Sequence, residues 1–459
     1  GGKDSMSGSF LDLDVPPTLV SFAIAPARAG EIISPEFKAG GHPVYLFQSV
    51  DHKDYDSLKK TWETFHGLCR EGRVLSAWAV GSGGLAEGIM KMSFGNRVGF
   101  EAEPSAESSL FYTGMCGAIL AECDGPPPGG MLVGRTTDSA AIFLAGESVP
   151  VDQLLAVSEG VLEEVYPTRA GTPGKVEPIS WTGRSPAVCA HKTARPRAVI
   201  PVFPGTNCEY DTAAACLRAG IEPEILVVRN GSAGQLRESA QALEAAIRRS
   251  QMIVVPGGFS GGDEPDGSGK FIASFFRSGP ITDAVHDLLK HRDGLMLGIC
   301  NGFQALIKLG LVPYGKITAP SPEAPTLTFN TLGRHVSRMA YTRVTSVKSP
   351  WFAGAEAGSV FAVPVSHGEG RFVASAQELD RLIANGQVAT QYVTPCGKPS
   401  GSIEWNPNGS VCAVEGITSP DGRVLGKMGH SERKGPGLYA NVPGEKDQRI
   451  FESGVRYFK

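Results

Sequence analysis

An apolar run at 295–299 (LMLGI) ends in Cys300-Asn301-Gly302 and passes at once into a helical pattern, so a cysteine is presented at a strand-to-helix turn. Such a turn lifts the side chain clear of the sheet edge, while N–H groups at the helix start point at whatever the sulfur attacks. A cysteine attacks as its thiolate, and a helix N-terminus with a nearby imidazole lowers its pKa. The imidazole in turn needs a carboxylate to hold it. Two His-x-Glu sequences offer this pair, His367-Gly368-Glu369 and His430-Ser431-Glu432. In extended chain, residues two apart share a face, so the carboxylate stands behind the ring and fixes its tautomer. His430 and Glu432 are preferred, because they follow a strand-like run at 423–428 and so come off a sheet edge. His367 lies in SHGEGR, whose glycines suggest a loop that contacts a ligand or neighbour. Acyl transfer also needs two donors for the oxyanion. The N–H of Asn301 is one candidate and that of Gly258, in PGGF, is the other.

Each residue has a plainer reading. A cysteine in apolar surroundings is usually a packing residue, and here the strand, turn and helix around Cys300 outweigh that. Cys208, in PGTNCEYD, is the rival nucleophile, although its expected role is to pack at a helix start. The GSGG before Leu85 fits a helix-start turn as well as a phosphate cradle. Asp263, Glu264 and Asp266 have the chemistry to bind a cation, but read more readily as a solvated acidic loop.

The elements that must position these residues are clearest after 197. Apolar strands at 198–203, 224–228, 252–256 and 295–299 alternate with helical stretches at 210–219, 233–250 and 281–291. That rhythm predicts a parallel sheet with right-handed crossovers and a ligand site at the carboxyl ends of the strands. The loops PGTN (204–207), PGGFSGGD (256–263) and GICNG (298–302) all fall there. Beyond 315 the chain reads as turn-rich strands and closes in a short tail at 448–459.

Before 170, strand-like runs at 15–25, 43–48, 110–123 and 140–144 alternate with helical patterns at 57–70, 81–96 and 151–165, predicting an α/β sandwich. Between 167 and 197, Pro, Gly, Ser and Thr accumulate and periodicity fails. The expected organisation is therefore a domain at 1–169, a linker at 170–197 and a second domain at 198–459.

With 459 residues, 41% hydrophobic and 20% charged, the chain has the composition of a globular protein of two or three domains. A net charge of -4 gives no basic footprint, so neither nucleic acid nor an anionic membrane is an expected partner. No run approaches the roughly 18 apolar residues of a membrane span. Nine cysteines without framework spacing suggest reduced thiols and a cytoplasmic location, and the scattered histidines give no zinc spacing. The opening GGKDSMSG, without a Met at its head, reads as the interior of something longer.

GICNGFQ, PGGFSGGD and MGHSER together resemble the class I (triad) glutamine amidotransferases. FPGTNCEYD, GGFSGGDEPDGS, SHGEGR and GHSER, in that order, are similar to the glutaminase region of the phosphoribosylformylglycinamidine synthases. GGKDSMSG, GGLAEGIMKMSFGN and LFYTGMCGAILAE resemble the end of that family's synthetase region, built from aminoimidazole-ribonucleotide-synthetase-like halves. The resemblance implies a flavodoxin-like glutaminase domain after the sandwich. It also implies Cys300 as the nucleophile that forms a glutamyl thioester from L-glutamine, His430 as base then acid, and Glu432 as its orienter. Gly258 and Asn301 match the oxyanion positions and Gln304 a substrate-contacting one. The complete enzyme would pass the ammonia to formylglycinamide ribonucleotide, activated by ATP and magnesium, and the glutaminase half would need no cofactor. Where the family often has Ser-Asp-Gly-Gly-Leu, with its aspartate on magnesium, this chain has Gly81-Ser82-Gly83-Gly84-Leu85, so no metal ligand is expected here. With the first synthetase half of the same protein absent, the chain alone is expected not to make the amidine. Two other readings are a different cysteine-triad hydrolase, such as a peptidase or γ-glutamyl hydrolase, and a non-catalytic docking module.

Overall fold

Apolar residues segregate into separate cores, one set within 1–165 and another within 166–459. The computed structural model describes the chain except residues 1, 5–7, 11, 18, 50, 52, 172–173, 184–186 and 262–267. The acidic residues Asp263, Glu264 and Asp266 therefore lie outside the described residues, as does part of the opening GGKDSMSG.

In the first unit Pro43–Phe47 (β1), Val74–Ala79 (β2), Gly99–Ala102 (β3), Ile119–Cys123 (β4), Met131–Thr137 (β5), Ala141–Leu144 (β6) and Glu147–Pro150 (β7) form one sheet. Its order is β7-β6-β3-β5-β1-β4-β2, and only β6 with β3 is parallel. Strand alternation divides β1 between two faces. Val44 and Leu46 pack with Leu85, Ile89 and Met92 of the helix Gly84–Phe94 (α2), while Tyr45 and Phe47 pack with Leu68 of Tyr55–Arg70 (α1). Helices on both faces make this an α/β sandwich, and the helix Val151–Gly160 (α3) adds Val151 to the first of these cores. Among the described residues, the strand expected at 15–25 is broken into Val15, which ends the strand Leu13–Val15, and Leu19–Ser21, paired with Gly2–Asp4, and Leu19, Phe22 and Ile24 are exposed. An apolar run makes a lasting strand only where a surface takes its side chains.

The second unit holds Arg197–Val202 (β8), Glu222–Val227 (β9), Met252–Val255 (β10), Leu295–Ile299 (β11), Val336–Val344 (β12), Val360–His367 (β13), Val388–Val393 (β14), Val414–Thr418 (β15) and Val424–Lys427 (β16). Every residue of β10 and β11 is buried, as in strands covered on both faces. The order is β9-β8-β10-β11-β16-β15-β14-β12-β13. Its first five strands are parallel, in the flavodoxin-like order, and the rest antiparallel. Parallel strands need crossovers, and Glu209–Ala219 (α4), Ala233–Arg249 (α5), Lys270–Phe276 (α6), Gly279–Lys290 (α7) and Asn301–Leu309 (α8) lie in these connections.

The fifth parallel strand, β16, arrives from the far end of the chain. Its register sets Lys427 beside Ile299. Cys300 and the segment leading to His430 thus leave the sheet at one edge.

Other segments differ from expectation: the strand expected at 110–123 is confined to Ile119–Cys123, after the short helix Ser108–Tyr112. The tail at 448–459 contains the helix Ile450–Phe458, whose Ile450, Phe451, Val455 and Phe458 are buried at near-helical spacing. The segment expected as a linker delivers Ile179 and Cys189 to the second core. The Ile179 N–H donates to Gln391 Oε1 at 2.8 Å, and Trp181 bridges to Ser346.

Candidate active site

Cys300 adopts φ 52°, ψ −106° between β11 and α8. A side chain in that region costs about 1–3 kcal/mol and persists only where surroundings enforce it. Here the Cys300 N–H donates to Lys427 O at 2.8 Å, and the Gln304 N–H donates to Cys300 O at 3.0 Å. The turn also needs Gly302, because a Cβ there would collide with the carbonyl of Val255.

His430 follows β16 and is anchored by its N–H to Pro364 O at 2.9 Å. Its Nδ1 lies 2.6 Å from Glu432 Oε1, and both side chains are buried. With the proton on Nδ1, Nε2 is an acceptor, and it has no hydrogen-bond partner. His430 Cε1 and Cys300 Cβ both come within 3.5 Å of the point where a Cβ on Gly257 would stand. Burial pushes the Glu432 carboxyl upward, but the His430 ring and then Arg433 outweigh it, so its pKa is lowered and it is ionised.

His367 is arranged differently. Its Nδ1 faces the Asn330 side-chain oxygen at 3.2 Å, and Glu369 turns away to accept the Ser268 N–H at 2.8 Å. Burial, then the neighbouring His430 and His335, hold it down at about 3, so the ring is neutral in ordinary buffers.

The Cys300 thiol donates to Ser366 O at 3.5 Å, and a hydrogen bond from the Asn301 backbone draws its pKa down against the burial. Gly258 has φ 145°, open to glycine alone, and pairs with Thr206 in an isolated bridge. That bridge uses the N–H of Phe259 to Gly205 O and of Asn207 to Gly257 O, leaving the Gly258 amide out of it. The Asn301 side chain accepts from the Ser260 N–H at 3.3 Å and donates to Gln304 Oε1 at 2.9 Å. Gln304 Nε2 donates to Glu369 O at 2.5 Å. Both ends of the Gln304 amide are therefore engaged within the protein, tying the turn to the SHGEGR loop.

The sequence suggests a lowered thiol at Cys300, and the structure reverses that expectation. Cys300 is 5% exposed, and burial, then Cys208 and Glu432, push it up to about 12. The helix start is too weak a counterweight for this loss of solvation.

Residues 195–458 match the CobB/CobQ-like glutamine amidotransferase domain. The chain belongs to that glutamine amidotransferase family. The phosphoribosylformylglycinamidine synthase subunit PurQ of Salinibacter ruber is 32% identical over 259 residues, covering 55% of this chain and 93% of its own. That of Picrophilus torridus is 34% identical over 244 residues, covering 52% and 86%. Among solved structures, PurLQS from Thermotoga maritima aligns at 26% identity with a TM-score of 0.42, over 57% of this chain and 99% of that one.

In this glutamine amidotransferase, further buried groups surround the site, and motif reading passes over Lys427 and Glu415 among them. Lys427 and Glu415 form an ion pair of 3.2 Å with both side chains fully buried. Lys427 Nζ donates to Gly429 O at 2.6 Å and the Gly429 N–H donates to Glu415 Oε1 at 2.6 Å, while Thr390 bonds the other oxygen. The pair grips the residue before His430, and the Lys427 carbonyl holds Cys300. Cys208 lies at the start of α4, its Sγ 4.0 Å from His430 Nδ1 and 2.9 Å from Arg433 Nη2. Alternating apolar residues disclose strands, but nothing in the pattern marks a lysine inside one.

The magnesium expected of the family's synthetase region does not fit Gly81–Gly84 in the first unit. Ser82 stands where the carboxylate would be, and the Gly83 N–H is taken by Glu87 Oε2 at 3.2 Å. Among the described residues, no helix is long and apolar enough to cross a membrane.

Proposed function

We propose that the second unit hydrolyses L-glutamine through a thioester on Cys300. The observation that carries this reading is the buried His430–Glu432 pair, 2.6 Å apart, at the sheet edge where Cys300 leaves β11. His430 Nε2 takes the thiol proton as sulfur attacks the side-chain amide carbon of glutamine. The N–H groups of Asn301 and Gly258 receive the negative charge on its oxygen. His430 then returns the proton to the departing nitrogen, and ammonia leaves. Water adds to the thioester with His430 as base, releasing glutamate and restoring the thiol. Glu432 holds the ring and Gln304 the turn. Because burial keeps the resting thiol protonated, ionisation is coupled to substrate binding.

The PurQ relatives support a purine-biosynthetic destination for the ammonia, conversion of formylglycinamide ribonucleotide to the amidine. We infer that the protein is of the large, fused form, with the first unit part of the synthetase. The motifs GGLAEGIMKMSFGN and LFYTGMCGAILAE support this reading. ATP and magnesium belong to the synthetase chemistry of the complete enzyme, and no residue of this chain is assigned to either. Nine free cysteines support a reducing, cytoplasmic setting.

Cys300→Ala is expected to abolish glutamine hydrolysis and covalent labelling by a glutamine-like electrophile. Measured ammonia release at the wild-type rate from that variant would refute the assignment.

A further inference from the structure

The ring assigned as base has a second thiol beside it. One donor atom from each of Cys208, His430 and Glu432 lies within 4.8 Å of the other two, and all three side chains are buried. Glu432 Oε2, in this enclosed space, has no hydrogen-bond partner. Sulfur, imidazole nitrogen and carboxylate oxygen are the donor set of a zinc-like cation. A thiolate and a carboxylate together neutralise a dication, and three protein ligands leave one coordination position open, as in zinc sites that exchange their fourth ligand. Bonds of about 2.0–2.3 Å require the Cys208 sulfur to move in from 4.0 Å and the Glu432 carboxylate to give up its 2.6 Å hydrogen bond to His430 Nδ1. Arg433, 2.9 Å from the Cys208 sulfur, opposes a cation, but Asp211 stands 3.7 Å from its Nε and can draw it aside. Sequence spacing hides the cluster, since Cys208 and His430 are 222 residues apart.

We propose that Cys208, His430 and Glu432 form a site for a thiophilic divalent cation such as Zn2+, and that filling it switches the base off. Binding releases the Cys208 proton to solvent and shifts the His430 ring proton from Nδ1 to Nε2. The nitrogen that should accept the Cys300 proton then carries one already. The inhibitory part rests on the glutaminase reading, and the binding part does not.

The full chain, stripped with a chelator, is titrated with Co2+. Wild type and Cys300→Ser should both show a thiolate-to-cobalt charge-transfer band that saturates at one equivalent, and Zn2+ should erase it. Cys208→Ser should lack the band. In the glutaminase assay Zn2+ should inhibit wild type, while Cys208→Ser keeps its activity and needs at least about ten-fold more Zn2+. Arg433→Gln should bind Co2+ more tightly. Absence of the band from wild type, its persistence in Cys208→Ser, or its loss in Cys300→Ser overturns the site. A band in a wild type that never hydrolyses glutamine overturns the functional reading and leaves the site standing. If Cys208→Ser fails to fold, Cys208→Ala and His430→Gln make the same comparison, each expected to lose the band.

Discussion

At the residue scale, Cys300 combines an enforced backbone with a thiol that burial keeps protonated. Only thiolate reacts with a simple alkylating agent. Without glutamine, the rate of Cys300 alkylation should rise about tenfold per pH unit from 7 to 10, with no plateau below about 11. Peptide mass spectrometry across that range checks it, and a plateau beginning near pH 7 would rule it out. The same shift bears on stability. Because the folded value, about 12, stands above the ordinary 9.0, the contribution is fully present below pH 9. It is lost as pH climbs from 9 toward 12. Cys300→Ser should flatten that alkaline loss in urea melts. The choice between the two histidines also belongs to this scale. Both sit in His-x-Glu, yet Glu432 turns toward its ring and Glu369 toward Ser268. The local sequence does not encode that difference, which follows from where each strand ends.

Among the elements, β16 does most to assemble the site, since it lies beside β11 and leads into His430. Its buried Lys427 costs a large desolvation, offset by Glu415 and the Gly429 carbonyl. Lys427→Met strands the Glu415 charge and should cost about 3–5 kcal/mol. Pairing it with Glu415→Leu should recover much of that loss, as urea unfolding would reveal. Because Gly429 precedes His430, Lys427→Met should also lower kcat for glutamine while KM stays within a few-fold. Equal unfolding midpoints for wild type and Lys427→Met would dismiss the argument. The parallel strands were legible because doubly covered strands are continuous apolar runs, and β11 is read from Leu295–Ile299 directly. The strands β2, β3 and β5 of the first sheet were not, because Val74–Ala79, Gly99–Ala102 and Met131–Thr137 mix buried with partly exposed positions. The closing helix Ile450–Phe458 escaped for another reason: its apolar residues recur at near-helical spacing, but nine residues after a polar stretch are too short a run to separate a helix from a tail, and the packing of Trp351 against Gly454 is not visible locally. At the site, Cys300, His430 and Glu432 stood out by motif. PGTNCEYD presents Cys208 only as a rival nucleophile or a helix-start packing residue, and nothing marks Lys427 or Glu415, since their contacts exist only once distant strands meet.

On the scale of the whole molecule, the units at 1–165 and 166–459 bury separate cores, so each should fold as a piece. Composition alone draws the second boundary near 198, because 167–197 is rich in Pro, Gly and Ser. Packing draws it earlier. Ile179 is 8% exposed and Cys189 2%, the Trp181 N–H donates to Thr345 O at 2.9 Å, and Arg343 Nη1 donates to Ile179 O at 3.0 Å. Arg334 closes over the Tyr166 ring at 3.9 Å and donates from Nε to Pro167 O at 2.8 Å. Removing this segment uncovers the apolar surface beneath Ile179 and strands the Gln391 and Arg343 partners. Burying one such side chain is worth about 1.5–3 kcal/mol, before any loss of hydrogen bonds. A chain of residues 166–459 should therefore unfold cooperatively in urea and keep Cys300 labelling by a glutamine-like electrophile. One of residues 198–459 should be less stable by about 2–5 kcal/mol. Coincident urea midpoints for the two would mean that the segment is only a tether, and the boundary would return to 198.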